Sequence, residues 1–230
     1  MFKTELHCHT AGVSACGRLT EERLVERYVE EGYSTVVLTN HLSIYTYKND
    51  RIDGTDWSWK EKINYYMDGY HRFSKAAEGK LLPILGCEFR SNLDGNEYLL
   101  YGVTEEMLRS IPDMMDERLE HVRSALHSIG GLMYQAHPFR TYMQVKSPKL
   151  IDGVEVFNAN TSRFRNEIAM QWAEHYGLLR SSGSDTHGEE HIICGGIETT
   201  NPIKTREELI AALRSPETVL LAPLMLTRNT

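Results

Sequence analysis

The feature that most constrains the fold is an alternation of strand-like and helix-like segments along the chain of 230 residues. Residues 20–31 have the apolar spacing of an amphipathic helix, with Thr20 as N-cap and Gly32 as C-terminal stop. Residues 34–39 are β-branched and apolar on both faces, which is typical of a buried parallel strand. A strand at 5–10, this helix and this strand within about forty residues form the βαβ signature of a parallel sheet.

The alternation continues through the rest of the chain. Further strands are predicted at 81–89, 97–103, 132–136, 153–157, 178–182 and 219–221, and further helices at 59–78, 116–129, 163–176 and 205–214. Neither a Pro/Gly/Ser-rich linker nor an internal repeat interrupts the pattern, so we expect one domain over residues 1–230. On the residues alone, a β/α barrel and an open doubly wound sheet fit equally well.

Composition and charge narrow the function classes. The formal net charge of -7 argues against the basic face by which proteins bind duplex nucleic acid, although bound metal ions would reverse the local sign. The start of the chain has no apolar leader and no run is long enough to cross a bilayer, so we expect a cytoplasmic protein without a membrane partner. The four cysteines form no CxxC pair and are expected to be reduced. No glycine-rich phosphate loop follows the first strand, which disfavours dinucleotide binding.

Potential metal ligands follow one predicted strand after another. His7 and His9 alternate with Cys8, so an extended backbone would place both imidazoles on one face. The carboxyl ends of parallel strands converge on one site, so these side chains should meet there. Burying so many ionisable groups together costs several kcal/mol per ion unless a cation offsets it. The residues that share this placement are His7, His9, His41, Glu88, His137, Asp185 and His187.

The motifs and their order resemble those of the PHP (polymerase and histidinol phosphatase) family of metal-dependent hydrolases. They are His7-Cys8-His9, Thr39-Asn40-His41, Gly86-Cys87-Glu88, Ala136-His137-Pro138 and Ser184-Asp185-Thr186-His187, and together they cover essentially the whole chain. The resemblance implies a single PHP metal-dependent hydrolase domain folded as a distorted (β/α)7 TIM-like barrel. It also implies two or three divalent ions, of zinc, manganese or iron.

The resemblance also implies a ligand set. His7, His9, Glu88 and Asp185 would hold the first ion, and Glu88 would bridge to a second ion that His137 also holds. Glu97 stands where the family usually has a histidine, and a carboxylate there would favour manganese or iron over zinc. Asn40, which replaces a frequent aspartate, is expected to support the ligands rather than bind metal.

The third ion would use His41 and His187 together with a residue soon after His9. The candidate is Cys16, whose thiolate would bind zinc or ferrous iron well. The alternative is that Cys16 is only a small buried apolar residue.

The implied activity is phosphoester hydrolysis by a hydroxide that bridges the metal ions, as in a phosphoric monoester hydrolase. A small phosphomonoester such as histidinol phosphate is the expected substrate, and duplex nucleic acid is disfavoured. The alternatives are a nucleotide or oligonucleotide phosphoesterase and a non-catalytic, metal-stabilised regulatory module. Arg90, Arg140 and Arg163 are candidates for phosphate binding, because a guanidinium binds phosphate oxygens bidentately, although each could equally be a solvent-exposed structural residue. The sequence carries no signal for an oligomeric state.

Overall fold

A nearly closed, barrel-shaped sheet of ten strands forms the centre of the computed structural model, which describes residues 1–222. The domain end predicted at residue 230 lies outside the described residues. The strands in chain order are β1 (Phe2–Glu5), β2 (Tyr33–Leu38), β3 (His41–Leu42), β4 (Lys48–Asn49), β5 (Ile52–Asp53), β6 (Leu82–Arg90), β7 (Glu97–Tyr101), β8 (Leu132–Gln135), β9 (Gly153–Asn158), β10 (Leu179–Gly183), β11 (Ile197–Thr199) and β12 (Val219–Leu220). β4 and β5 form a separate hairpin.

The helices pack around this sheet. They are α1 (Glu21–Glu30), α2 (Ile44–Tyr47), α3 (Trp59–Ala77), α4 (Glu105–Ser110), α5 (Leu119–Ser128), α6 (Arg163–Tyr176) and α7 (Arg206–Arg214), with a 3-10 turn at Met114–Asp116. Among residues 1–222, no helix has the length and apolar character needed to span a membrane.

The strand order around the barrel is β10-β9-β8-β7-β6-β2-β1-β11-β12, and β3 pairs with the far end of β6. Beyond the ends of β1 and β10, Cys8 forms a parallel bridge with Thr186. Two backbone hydrogen bonds reinforce this closure, from His9 N–H to Thr186 O (3.0 Å) and from Asp185 N–H to His7 O (2.8 Å). The predicted distorted TIM-like barrel is confirmed, and the open sheet is not what the chain forms.

The distortion lies in strands that run against the others. β7 is antiparallel to both β6 and β8, and β11 is antiparallel to β1. Only the short turn at residues 91–96 connects β6 to β7, and so short a connection has no room for the crossover that a parallel pair requires. The strict parallel alternation expected from the sequence is therefore wrong at β7.

Most predicted elements are present, with shifted ends. α1 begins directly after Thr20, whose hydroxyl accepts the N–H of Arg23 at 3.2 Å, and α6 has the predicted bounds. The first strand is Phe2–Glu5 rather than residues 5–10, so the His7-Cys8-His9 triplet lies beyond it. α4 and β11 were not predicted, because both are short and lack a clear apolar period.

The apolar interior fixes which end of the barrel is free for a site. Leu209, Ile210 and Leu213 of α7 are buried in one cluster with Tyr101 and Tyr134. Because β7 is antiparallel, Tyr101 lies at the end of the barrel opposite to the carboxyl ends of the parallel strands. α7 therefore closes the bottom of the barrel and leaves the top to the polar residues.

Candidate metal centre

The structure brings the nine residues predicted as ligands together at the top of the barrel. Eight of them lie in a strand or directly after one. His41 lies in β3, Glu88 in β6 and Glu97 in β7, whereas His7 and His9 follow β1, His137 follows β8, and Asp185 and His187 follow β10. Cys16 reaches the same place from the loop after His9. Four overlapping groups of three side chains have ligand atoms within 4.8 Å of one another.

The first group has the spacing of a tetrahedral site. The Nε2 atoms of His7 and His9 each lie 3.3 Å from Glu88 Oε2 and 3.3 Å from Asp185 Oδ1. Ligand atoms at ~2.0–2.1 Å from a tetrahedral ion are ~3.3 Å apart, since the edge of a tetrahedron is ~1.63 times its radius. The four measured edges therefore fit one small divalent cation.

The two imidazoles of this group also have their Nε2 atoms free. The Nδ1 of His7 lies 2.8 Å from Glu155 Oε1, and the Nδ1 of His9 lies 3.2 Å from Ser14 Oγ. Both Nε2 atoms are buried without a hydrogen-bond partner in the described part of the chain. An unsatisfied buried polar atom costs about 1–3 kcal/mol, and a metal ion at this position would satisfy both. The donor set thus fits the ion that the resemblance implies.

Glu88 connects the first group to a second one. Its Oε1 lies 3.1 Å from His137 Nε2, while its Oε2 lies 2.9 Å from His41 Nδ1. Glu97 stands beside both imidazoles, with Oε2 at 3.6 Å from His137 Nε2 and Oε1 at 4.0 Å from His41 Nδ1. The carboxylate of Glu88 is thus placed to bridge two cations, and Glu97 lies where a ligand of the second would be needed.

Three stacked imidazoles form a third group. The ring centroid of His9 lies 4.4 Å from that of His41 and 4.2 Å from that of His187. The Nδ1 of His187 lies 2.9 Å from the carbonyl oxygen of Asp185, which leaves its Nε2 to face the Cys16 thiol or a metal ion. Because a metal-ligating histidine usually donates its other ring N–H in this way, the arrangement suits a ligand.

Cys16 lies at the exposed mouth of the third group, so the alternative of a small buried residue is wrong. Partial desolvation raises the pKa of its thiol, but hydrogen bonds to His187 and His41 outweigh this and lower the pKa to about 6. The lowered pKa favours the thiolate, which is the form that binds metal.

The carboxylates of the site are held in their charged form. Burial raises the pKa of Glu88, but His41 and His7 outweigh it and hold the pKa well below its usual range. Burial likewise raises the pKa of Asp185, and the charges of His7 and Arg140 reverse the effect. The pKa of His7 is in turn raised well above its usual value, since Glu155, Asp185 and Glu88 outweigh burial. Anionic ligands are thus available to cations at neutral pH.

Glu155 is a residue of the candidate site that the sequence reasoning missed. It is buried on β9, and its Oε1 accepts from His7 Nδ1 at 2.8 Å. Its Oε2 accepts the backbone N–H of His137 at 3.0 Å and the amide of Asn158 at 2.9 Å. One carboxylate thereby orients a ligand of the first group and a ligand of the second. The available signal was an acidic residue between Val154 and Val156 of a buried strand, where an unpaired charge would be costly.

Other interactions fix the ligand-bearing turns. Glu5 Oε1 accepts the backbone N–H groups of Leu6, His7 and Ser184, each at 2.9 Å. His137 has φ of 28° and Asp185 has φ of 51°, both in the left-handed region that residues other than glycine rarely adopt. Such strain persists at functional sites when the surroundings overdetermine it.

Asn40, predicted as a supporting residue, lies behind His9. Its Oδ1 accepts from Ser14 Oγ at 2.9 Å and from the backbone N–H of Thr10 at 2.8 Å. Ser14 in turn contacts His9 Nδ1, so the amide fixes the hydroxyl that orients the imidazole.

The three predicted phosphate-binding arginines have different positions. Arg140 Nη2 lies 2.5 Å from Asp185 Oδ2, and Arg90 Nη1 lies 3.2 Å from Glu97 Oε1, so both stand beside predicted ligands. Arg163 begins α6, pairs with Glu167 at 2.7 Å and does not line the cavity at the metal centre. The structure therefore does not bring Arg163 to the site.

A cavity of about 800 Å³ opens above the ligands and is called the main cavity below. One wall is the segment 43–51, which contributes Tyr45, Lys48 and Arg51. Arg51 anchors this wall by donating to the carbonyl oxygens of Ala11 (2.7 Å) and Ser14 (3.0 Å). The cavity gives a substrate direct access to the predicted ligands.

Several known proteins share the fold of this chain. Residues 163–218 match the PHP-associated family. A two-domain protein from Bacteroides vulgatus that contains a predicted PHP-like metal-dependent phosphoesterase aligns over 96% of this chain and 64% of its own, with 14% identity and a TM-score of 0.67. PsfC from Pseudomonas syringae aligns over 96% and 91%, with 14% identity and a TM-score of 0.70. No curated protein matches the chain in sequence.

The fold and the match at residues 163–218 define a barrel of the PHP type, as the order of the motifs predicted. The chain thus shares its fold with the Bacteroides protein that contains a predicted PHP-like metal-dependent phosphoesterase. It spans less than two thirds of the Bacteroides protein.

The expectation that duplex nucleic acid is disfavoured as a substrate is wrong. The lesion-specific endonuclease Q of Pyrococcus furiosus has the same fold, with 16% identity and a TM-score of 0.61 over 95% of this chain and 57% of that one. An endonuclease Q in complex with a 27-mer duplex substrate also matches, with 15% identity and a TM-score of 0.61 over 93% and 56%. The net charge of a chain describes its whole surface, whereas Lys48, Arg51, Arg90 and Arg140 line the cavity where a phosphate would bind.

Proposed function

We propose that this chain is a hydrolase of phosphate esters that works with two or three divalent cations of zinc, manganese or iron. The observation that carries the proposal is the group of His7, His9, Glu88 and Asp185, with four ligand-to-ligand distances of 3.3 Å and two buried, unpartnered Nε2 atoms. A cavity of about 800 Å³ leads directly to the neighbouring carboxylates and imidazoles.

The residues of the chain have separable tasks in this reaction. Glu88 would be shared between the first two cations, with Asp185 completing the first and His137 and Glu97 the second. His41, His187 and Cys16 would hold the third. When bound, such cations lower the pKa of water and stabilise the charge that develops on phosphate oxygens.

Arg140 and Arg90 would contribute to phosphate binding from the edge of the metal centre. Each guanidinium already pairs with a predicted ligand, Arg140 with Asp185 and Arg90 with Glu97. A guanidinium has five N–H donors in a fixed plane, so it can maintain its ion pair with the carboxylate while it donates to a phosphate oxygen. These pairs would fix the orientation of the phosphate relative to the ligands.

The metal cluster itself suits the phosphate of a monoester, as expected from the sequence, or of a diester, so the substrate class is argued separately below. We also propose a cytoplasmic location, which the four free cysteines support because thiols stay reduced there.

The test is activity after loading with zinc, manganese or ferrous iron, on a panel of phosphomonoesters and phosphodiesters. Asp185→Asn is expected to lower kcat by at least about 100-fold, since even residues that only support metal ligands contribute about 10–100-fold. Asp68→Asn on the exposed surface of α3 is the matched control and should retain full activity. Circular dichroism with chelator present shows whether both variants fold.

Two results would contradict the proposal. One is turnover in the Asp185→Asn variant equal to that of the parent protein. The other is a folded, metal-loaded parent that hydrolyses no ester in the panel, which would favour a non-catalytic role for the metal centre.

A further inference from the structure

A second cavity, of about 300 Å³, adjoins the main cavity at the metal centre and is called the side groove below. The two cavities share five lining residues, namely Cys16, Arg140, Tyr142, Asp185 and His187. Beyond them the side groove continues along Arg18, Asn160 and His191. The predicted metal ligands Asp185 and His187 therefore lie where two open cavities meet, rather than at the closed end of one.

The walls of the side groove are fixed relative to these ligands. The backbone N–H of Arg18 donates to the carbonyl oxygen of His187 at 2.7 Å. The amide of Asn160 donates to the carbonyl oxygen of Asp185 at 2.5 Å and contacts His191 Nδ1 at 2.9 Å. His191 Nδ1 also accepts the backbone N–H of His187 at 3.1 Å. The side groove is thus tied to the same turn that carries the ligands and keeps its position beside them.

The charges in the side groove indicate what it can hold. The guanidinium of Arg18 pairs with the carboxylate of Glu190, and that of Arg140 pairs with Asp185. Beyond the residues that the two cavities share, the guanidinium of Arg18 is therefore compensated, which leaves no excess positive charge there for the terminal oxygens of a phosphate. An uncharged organic group of modest size fits this space better, since pockets of about 300 Å³ are at the lower end of the range for small ligands.

We propose that the substrate is a phosphodiester, with one ester substituent in the main cavity and the other in the side groove. This inference rests on the proposed phosphoester hydrolysis and specifies its substrate. A phosphorus atom at the shared residues would direct one ester oxygen into the main cavity and the other along the side groove towards Arg18, Asn160 and His191. A monoester has a single substituent and would leave one of the two cavities empty.

The reaction balances as a simple hydrolysis. The oxygen of water forms a new bond to phosphorus while the bond from phosphorus to one ester oxygen breaks. The departing oxygen takes a proton from the water and leaves as an alcohol. The other substituent stays on the product, a phosphomonoester, which loses the remaining proton at neutral pH.

The first test compares bis(p-nitrophenyl) phosphate with p-nitrophenyl phosphate, which release the same leaving group, on the full metal-loaded chain. We expect kcat/KM to be about tenfold or more higher for the diester, because filling a pocket with one more substituent contributes about this much. Equal values, or a higher value for the monoester, would overturn the proposal. Turnover of neither ester would overturn the proposed phosphoester hydrolysis as well.

The second test uses the side groove itself. Arg18→Gln should lower the ratio of diester to monoester kcat/KM by about threefold to fivefold, since a guanidinium contributes this much when it packs on an aromatic ring such as nitrophenyl. Arg23→Gln is the matched control, because Arg23 lies on α1, pairs with Glu189 and lines neither cavity. A loss of stability alone would lower both rates together and leave the ratio unchanged. A ratio unaltered by Arg18→Gln would show that the side groove does not hold the second substituent.

Discussion

Glu155→Gln is the substitution that best tests how the metal centre is supported. The carboxylate of Glu155 contacts no predicted metal position itself, yet it accepts from His7 Nδ1 and from the backbone N–H of His137. Glutamine keeps the size of the side chain and removes one acceptor and one charge. The perturbation is therefore confined to the hydrogen bonds that orient ligands of two adjacent ions.

The magnitude follows from counting donors. Three donors surround the two carboxylate oxygens, from His7 at 2.8 Å, His137 at 3.0 Å and Asn158 at 2.9 Å. A glutamine offers one oxygen and one NH2, so in either orientation at least one of these donors faces another donor. Residues that support metal ligands contribute about 10–100-fold in metal affinity. We expect the dissociation constant of the tightest ion to rise by that factor, which is about 1.4–2.7 kcal/mol.

The assay is a competition titration with a chromophoric chelator at constant pH, followed by kcat as a function of free metal concentration. Activity of Glu155→Gln should recover partly at high metal concentration, because the ligands themselves remain. Glu174→Gln, on the exposed face of α6, is the matched control and should bind metal as the parent protein does. Glu155→Asp keeps the charge, so its metal affinity should lie between those of Glu155→Gln and Glu174→Gln.

An unchanged metal affinity in Glu155→Gln would refute the reasoning, because the hydrogen bond to His7 would then not control that ligand. Loss of folding in both Glu155 variants would instead assign the residue to the barrel interior. Thermal unfolding in chelator separates these outcomes.

Two further predictions concern groups around the barrel. The pKa of the Cys16 thiol is about 6 and that of the Cys194 thiol is raised to about 11, so iodoacetamide at pH 7 should modify Cys16 first in metal-free protein. Zinc should slow the alkylation of Cys16, which mass spectrometry can follow. An alkylation rate that zinc does not change would show that Cys16 is not a ligand. Burial raises the pKa of Asp152, but hydrogen bonds from the Met133 N–H and the Arg123 guanidinium outweigh this and hold the pKa below its usual value. The carboxylate therefore stabilises the fold above pH ~4. This contribution is lost as the pH falls through the pKa of the folded state. Asp152→Asn should therefore lower the free energy of unfolding in urea by about 1–3 kcal/mol at pH 7 and by less at pH 3, and a difference that grows on acidification would contradict this account.

The helices and strands could be predicted because they carry local signals, whereas the choice of a barrel over an open sheet came from the resemblance to the PHP family. α1 has a cap, an apolar stripe and a stop, and α6 has the predicted bounds. The ligands His7, Glu88 and Asp185 could be predicted together because the carboxyl ends of strands converge in any parallel barrel. Their convergence is a property of the topology and needs no knowledge of side-chain packing.

What the sequence did not predict depends on distant parts of the chain. Glu155 lies on β9, 148 positions after His7, and their side chains come to 2.8 Å only because β9 pairs with β10 and the barrel closes between the segments that follow β10 and β1. β7 was assigned to a parallel sheet because a strand has the same period of two in either direction. Arg163 was proposed for the site from its place after a strand, but it lies at the start of α6 and pairs with Glu167.

The buried carboxylates link metal binding to folding. Glu5 is fully buried and its pKa is raised by burial, although N–H groups of Ser184 and His7 lower it. Neighbouring imidazoles lower the pKa of Glu88 and of Asp185 and so keep both carboxylates charged. The same imidazoles would need their nitrogen lone pairs to bind a metal ion. Without cations, the site must keep protons on imidazoles such as His7 to balance these carboxylates, whereas bound cations would replace those protons. Metal binding should therefore release protons and stabilise the barrel through the same side chains, because the ligands close the sheet where Cys8 meets Thr186. The candidate metal ligands His7, His9, Asp185 and His187 thus flank the bridge that closes the barrel.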